Sequence, residues 1–421
     1  MPDTLATVYP VRMTKDSARA TADRRGPSRF RGMLLVAALL LLAANLRPAL
    51  TSVAPLIGEI RDSTGVSNGV AGLLTTLPLL AFGLLSPGAP RLARAFGMEL
   101  ALLVSLLALA AGILLRSAGT VMMLFLGTAV LGAAIAVGNV LLPGIVKREF
   151  PERIGFMTSA YSTALGISAA LAAGVSVPVA QLIGWRGSLA IWALPAFVAA
   201  VAWVPQLRSG RSESAPTLTP GGVDGLWRSP LAWQVTLFMG LQSLAYYVTL
   251  TWLPEILIDE GLSVARAGWM LGLSQAVAIS TMFLAPMLAG RRPSQQGAVV
   301  AAAALSGAGV LGLLVAASTA TALWVVLLGL GQGACFSLAL AFFALRAPDP
   351  EHAAALSGMA QSIGYLLAAF GPALFGVLRD ATRAWTIPLE ILLAIVVCLL
   401  VFGLGAARDA HVAAPAPEEA G

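Results

Sequence analysis

The feature that most constrains this 421-residue chain is a repeated run of apolar residues, each about as long as a bilayer is thick. A helix rises 1.5 Å per residue, so roughly 20 apolar residues cross ~30 Å of hydrocarbon. Such runs cover residues 32–58, 67–88, 99–116, 120–146, 156–183, 188–206, 231–256, 266–289, 297–317, 321–345, 355–378 and 385–406. In lipid the backbone must satisfy its own hydrogen bonds, and runs of this length do so as helices; the short alternating segments of a β-barrel are absent. Only 11% of residues are charged and 58% are hydrophobic, whereas a soluble domain carries about a quarter charged. The expectation is an all-α membrane protein of twelve transmembrane helices with the lipid bilayer as its surroundings.

A formal charge of +6 would suggest nucleic acid in a soluble protein. Here the placement of the 26 basic residues decides otherwise. Arg61, Arg116, Arg186, Arg266, Arg379 and Arg383 fall at the far ends of the spans, Arg47 falls inside one, and all the others lie on the side of the N-terminus. That bias predicts both termini in the cytoplasm of a bacterial inner membrane and an even number of spans. No nucleic-acid partner is expected. Cys335 and Cys398 lie in apolar runs, so no disulfide framework is implied.

The polar segment 207–230, rich in Ser, Pro and Gly, reads as a cytoplasmic linker between two six-helix halves, 32–206 and 231–406. Residues 1–31 and 407–421 are expected to be tails, the first too polar, and its apolar continuation too long, for a cleaved signal peptide. Pro55 and Pro254, Pro87 and Pro286, Gly132 and Gly331, and the dipeptides Pro151-Glu152 and Pro350-Glu351 recur at one spacing, which points to a parallel repeat.

The run LLAANLRPALTSV places Arg47 about fifteen residues into the first span, near the midplane. A charge there costs from ~3 to more than 10 kcal/mol unless a wet cavity or a partner meets it. Glu59 and Asp62 lie at the far end of that span, and the one acid well inside any span is Glu390, five residues into the twelfth. A guanidinium presents a planar fork of donors, so an anion or the negative end of a polar substrate would complete the site. Pro48 removes a backbone donor beside it and predicts a local break. In span seven Gln242, Tyr246 and Thr249 recur at i, i+4 and i+7, and span eleven carries Gln361 and Tyr365 at the same spacing. Asn139 and Gln275 are similar buried polar candidates, each balanced by the plainer reading of a helix–helix hydrogen bond. Tyr247 is an aromatic candidate for stacking on a planar substrate.

The stretches NLRPALTSVAPLIGEI, AIAVGNVLLPGIVKREFP, FMGLQSLAYYVTLTWLP and MAQSIGYLLAAFGPALFGVLRD resemble the cyanate permease and 2-nitroimidazole transporter branch of the major facilitator superfamily. The resemblance runs from about residue 33 to 406. It implies two pseudo-symmetric halves around a central path, which would bring Arg47, Asn139, Gln242, Tyr246, Gln275, Gln361 and Tyr365 near a substrate. The loop after span two departs from the superfamily's usual pattern: in GAPRLARAFGME, Arg94 stands where an acid is expected, and Met98 and Glu99 where basic residues are usual.

The expected function is secondary active or facilitative transport of a small anion or small polar aromatic, resembling cyanate, nitrite or a nitroimidazole, by a functional monomer. A multidrug-type efflux carrier of the same fold, or an intramembrane enzyme, is the alternative. No phosphate-binding loop, catalytic constellation or metal motif stands in the spans, so no enzyme, cofactor or metal is expected. Glu390 is the one intramembrane candidate for proton coupling, because His352 and His411 lie outside the spans.

Overall fold

The computed structural model describes residues 29–66, 68–208 and 224–412. Most of the expected N-terminal tail, most of the linker and the end of the C-terminal tail fall outside the described residues.

The helices are α1 (Arg29–Asn45), α2 (Asn68–Leu85), α3 (Met98–Ser117), α4 (Val121–Glu149), α5 (Ile154–Ala190), α6 (Ala193–Trp203), α7 (Pro230–Asp259), α8 (Val264–Ala289), α9 (Gln296–Ala316), α10 (Thr321–Leu345), α11 (Pro350–Thr382) and α12 (Thr386–Ala406). Among the described residues nine helical stretches are long and apolar enough to cross a membrane. One of them, Pro151–Leu207, holds two passes that meet at Gly184. There the backbone takes φ 73, ψ 163, a conformation open only to glycine, so α5 turns back where the fifth apolar run ends. With α2 and α7 the chain makes the twelve passes expected.

The halves are built alike. In the first, α3 packs on α4 and α6, α1 on α5 and α6, and α2 on α4; in the second, α9 packs on α10 and α12, α7 on α11 and α12, and α8 on α10. The contacts between halves repeat the same symmetry, α5 with α8 and α10, α11 with α2 and α4. Pro87 and Pro286 each mark a helix end at this interface, and Pro151 and Pro350 each open a helix. The Gly132 and Gly331 match is a coincidence: Gly132 faces Pro78 of α2, whereas Gly331 faces Ser306 of α9.

Where the halves meet, they do so at the ends that carry most of the basic residues. The Ser162 hydroxyl donates to the Met282 carbonyl at 2.9 Å, the Ser362 hydroxyl to Gly83, and the Gln361 amide to the Asn139 carbonyl at 3.1 Å. Gly155 lies so close to α8 that a Cβ would stand 2.5 Å from the Pro286 carbonyl and 2.9 Å from the Gly290 Cα. All of these residues lie on the basic side of the Arg47 level.

Arg94 completes this closed end with an ion pair to Glu351 across the halves, 3.5 Å long and about one-third exposed. Thus the unusual arginine of the loop after α2 finds an acid on α11, while Glu99 stays inside its own half, paired with Arg148 and accepting the Trp203 indole N–H on its carbonyl. Exposed pairs contribute about 0–1 kcal/mol. Arg94→Glu is therefore expected to change uptake by no more than about fivefold, and Arg94→Glu with Glu351→Arg to restore it, measured side by side in proteoliposomes.

Asp349 starts α11 by accepting the His352 backbone N–H at 2.8 Å, and its other oxygen meets the His352 ring at 2.7 Å. Burial pushes this carboxyl up, but the bonds from the His352 side chain and backbone outweigh it, so it lies below the ordinary 3.8. The sign follows: its stabilisation is present above the ordinary value and is lost as pH falls through the lower folded one. Asp349→Ala is expected to cost about 1 kcal/mol as a lost helix cap. Thermal unfolding of both proteins between pH 7 and pH 3 should show the gap narrowing at the acid end.

Candidate functional site

The first pass does not run straight. After α1 ends at Asn45, Arg47 (φ −114, ψ −39) caps a one-turn helix, Pro48–Thr51, and Ser52 and Val53 make a second break before the pass resumes at Ile57–Thr64. Proline has no N–H to offer the preceding turn, and Pro48 and Pro55 fall at the two breaks.

Three bonds tie this broken segment to its own half. The Asn45 amide donates to the Pro195 carbonyl at 3.2 Å, the Thr51 hydroxyl to the Ala169 carbonyl at 3.1 Å, and Arg116 Nη1 to the Ala49 carbonyl at 2.5 Å. Arg47 is thereby fixed to the first half while its guanidinium faces the second. Its Cζ stands 5.2 Å from the centre of the Phe336 ring on α10. The phenols of Tyr247, Tyr365 and Tyr246 lie within electrostatic reach of it. Among the described residues it makes no salt bridge. Four aromatic residues from α7, α10 and α11 thus surround one bare cation.

Aromatic faces offer a guanidinium about 0.5–2 kcal/mol each, less than a carboxylate would, and phenols add hydroxyls that donate or accept. The arrangement holds the charge without neutralising it. It leaves the fork of donors for a planar acceptor, with ring faces beside it on which a flat molecule can stack.

Of the residues expected here, Tyr246 and Tyr365 stand beside Arg47. Tyr246 donates to the Gln275 side-chain oxygen at 3.1 Å, which brings Gln275 to the edge of the cluster. Tyr365 also packs on Phe82 of α2, ring centres 5.1 Å apart. Asn139 keeps its side-chain amide half-buried while its carbonyl takes the Gln361 bond, so this pair joins α4 to α11 at the closed end of the site. Gln361 also donates to Ser357, which leaves it chiefly a structural tie.

Two expectations change. Gln242 does not face Arg47: its amide turns to Ser243 at 2.7 Å and Met239, and it lines a small internal cavity with Ser306, Gln332 and Leu392. Thr249 follows it inward and accepts from Gln332 at 2.9 Å. Glu390 sits one turn into α12 with its side chain exposed, apart from the Arg47 cluster.

Tyr247, the aromatic candidate for stacking, stands in the cluster, and Phe336 is a member that the sequence did not single out. The only hint at Phe336 was one bulky ring in a run of small residues, GQGACFSLAL. Arg116 was also misjudged. It reads as a loop residue at the far side, but it is buried, 1% exposed, so Arg47 is not the lone charge inside. Among the described residues no group of three or more His, Cys, Asp or Glu side chains is placed to hold a metal ion.

Residues 33–372 match the family model described as "Major Facilitator Superfamily". The chain is 45% identical to the uncharacterized transporter YycB of Bacillus subtilis over 90% of its own length and 94% of that protein's. It is 44% identical to the 2-nitroimidazole transporter of Escherichia coli, covering 90% of this chain and 97% of that one. The identity to the cyanate transport protein CynX of Escherichia coli is 32%, over 83% and 90%. Among solved structures, the proton:xylose symporter XylE superposes with a TM-score of 0.72 at 15% identity, covering 90% of this chain and 97% of that one.

Proposed function

The chain belongs to the Major Facilitator Superfamily and is a multi-pass membrane transporter, not an enzyme; from that premise we propose that it carries a small planar anion or nitro-heterocycle by alternating access, with Arg47 as the group that binds its negative end. The observation that carries this reading is a guanidinium at the midplane of the first pass, ringed by Phe336, Tyr246, Tyr247 and Tyr365 and free of any carboxylate among the described residues. A transported anion is the missing countercharge, and its π-system fits between the rings. The similarity to a 2-nitroimidazole transporter and a cyanate transport protein supports the same chemistry.

The basic side is the cytoplasmic face of the bacterial inner membrane, and both termini lie there. The halves are closed at that face, so the site in this conformation is reached from outside. Closing α1 and α7 over the substrate and parting Gly155 from α8 would present it to the cytoplasm. One copy of the chain contains the whole path, in keeping with a functional monomer. Glu390 is exposed, and the Arg47 cluster holds no carboxylate, so a coupled proton would travel on the substrate itself.

Uptake of radiolabelled cyanate, nitrite and 2-nitroimidazole into proteoliposomes, with and without an imposed pH gradient, tests this. Saturable uptake of at least one, competed by the others, is expected. Uptake no faster than in empty liposomes for all three would overturn the substrate class.

A further inference from the structure

Arg116 lies near the far end of α3, fully buried within the first half, and no carboxylate pairs with it among the described residues. Its Nη1 donates to the Ala49 carbonyl at 2.5 Å, and its Nε and Nη2 have no acceptor. A buried, half-satisfied guanidinium costs several kcal/mol. Where it makes its one bond accounts for its presence.

Ala49 sits two residues after Arg47, in the one-turn helix between the two breaks of the first pass. In an unbroken helix its carbonyl would accept from Val53, but Val53 bonds to Leu50 instead, and Ser52 bonds to Pro48. The second break therefore orphans the Ala49 carbonyl in the interior of the bundle. Water cannot reach it, and Arg116 supplies the missing donor with a charge-assisted bond. Thr51 holds the same turn to α5 through Ala169, so the turn that carries Arg47 is anchored on two sides.

Close packing fixes Arg116 in turn. A Cβ on Gly127 of α4 would stand 2.7 Å from the Arg116 Cα, so α3 and α4 meet backbone to backbone here. The guanidinium is thus delivered from a closely packed pair of helices to the break in the first pass. The charge also matters: a second cation in the same half keeps the local potential positive, which favours an anion at Arg47.

We propose that Arg116 is a positioning residue for substrate binding: it caps the Ala49 carbonyl, holds the Pro48–Thr51 turn in its broken form, and so aims Arg47 at the aromatic cluster of the second half. The inference rests on Arg47 being the substrate-binding group, and its test has one readout that needs no substrate.

That readout is hydrogen exchange of the purified full chain, followed by mass spectrometry, in wild type, Arg116→Lys and Arg116→Met. Arg116→Met should raise exchange at least tenfold over residues 46–56 while α3 and α4 stay protected, and Arg116→Lys should restore most of the protection. Exchange that rises equally across α3 and α4, or not at all over 46–56, would overturn the proposal. The second readout is equilibrium binding of 2-nitroimidazole to the same three proteins. Arg116→Met should weaken it at least tenfold without lowering the melting temperature, with Arg116→Lys within about threefold of wild type. If Arg116→Met binds like wild type, Arg116 does not position the site. If wild type binds none of the probe, the proposed substrate class falls and the exchange result alone decides on Arg116. Should Arg116→Met fail to fold, Arg116→Leu, which also removes the donor, takes its place under the same criteria.

Discussion

Arg47→Ala is expected to lower substrate uptake in proteoliposomes by about 30-fold or more. Truncating one member of a desolvated, hydrogen-bonded charge pair costs about 2–5 kcal/mol, and about 1.4 kcal/mol corresponds to each factor of ten. The partner in this pair is the substrate, so the loss falls on its affinity. Arg47→Lys keeps the charge but not the planar fork, and its uptake should fall between the two. Stability should move the other way: Arg47 faces rings and phenols rather than an acid, so removing it strands no buried carboxylate. A melting temperature equal to or above that of wild type would accompany the lost uptake.

The second large effect belongs to the closed end. Gly155→Leu would drive a side chain into the Pro286 carbonyl and the Gly290 backbone, which have nowhere to retreat while α5 and α8 are packed. Overpacking a tight contact costs about 1–3 kcal/mol, and only the conformation with this contact closed bears that cost. Population shifts of roughly 5- to 150-fold toward the conformation open on the basic side follow. Uptake should fall by a similar factor because the carrier no longer returns to face outward. A cysteine in place of Ser162, buried where α5 meets α8, would report the shift through faster alkylation by a reagent on the basic side. Uptake and alkylation unchanged by Gly155→Leu would mean that the halves do not part here.

Much of the fold was legible because lipid restricts the choices. Apolar runs of bilayer length must be helices, and the fifth run ends where Gly184 turns the chain. Arg47 was legible for a related reason, since one formal charge in such a run is too costly to be incidental, and Pro48 announced the break beside it. The rest depended on which helices meet. Tyr247 and Phe336 are aromatic residues in apolar spans, indistinguishable in sequence from packing residues, and only the approach of α7 and α10 to α1 brings them to the guanidinium. Gln242 shares a helical face with Tyr246 by spacing, yet α7 is wedged between α11 and α12 and is buried on several sides, so a small rotation turns its amide into the second half.

Arg116 shows a subtler limit. Counted along the chain it stands at a helix end, where basic residues normally reach for water. Side chains on a helix lean toward its N-terminus, and a long one at the last turn can reach back along the bundle. Here the orphaned Ala49 carbonyl receives it. The need for a donor at Ala49 arises from a break in another helix, which a reading of α3 alone does not contain.

If Arg47 holds the negative end of the substrate, binding itself must depend on its guanidinium. Equilibrium binding of radiolabelled 2-nitroimidazole to the purified protein, competed with unlabelled cyanate and nitrite and compared between wild type and Arg47→Ala, tests it most directly. Saturable binding to wild type, displacement by the small anions, and affinity at least ~30-fold weaker in Arg47→Ala are expected. Binding to Arg47→Ala as tight as to wild type, with the same competition, would contradict it.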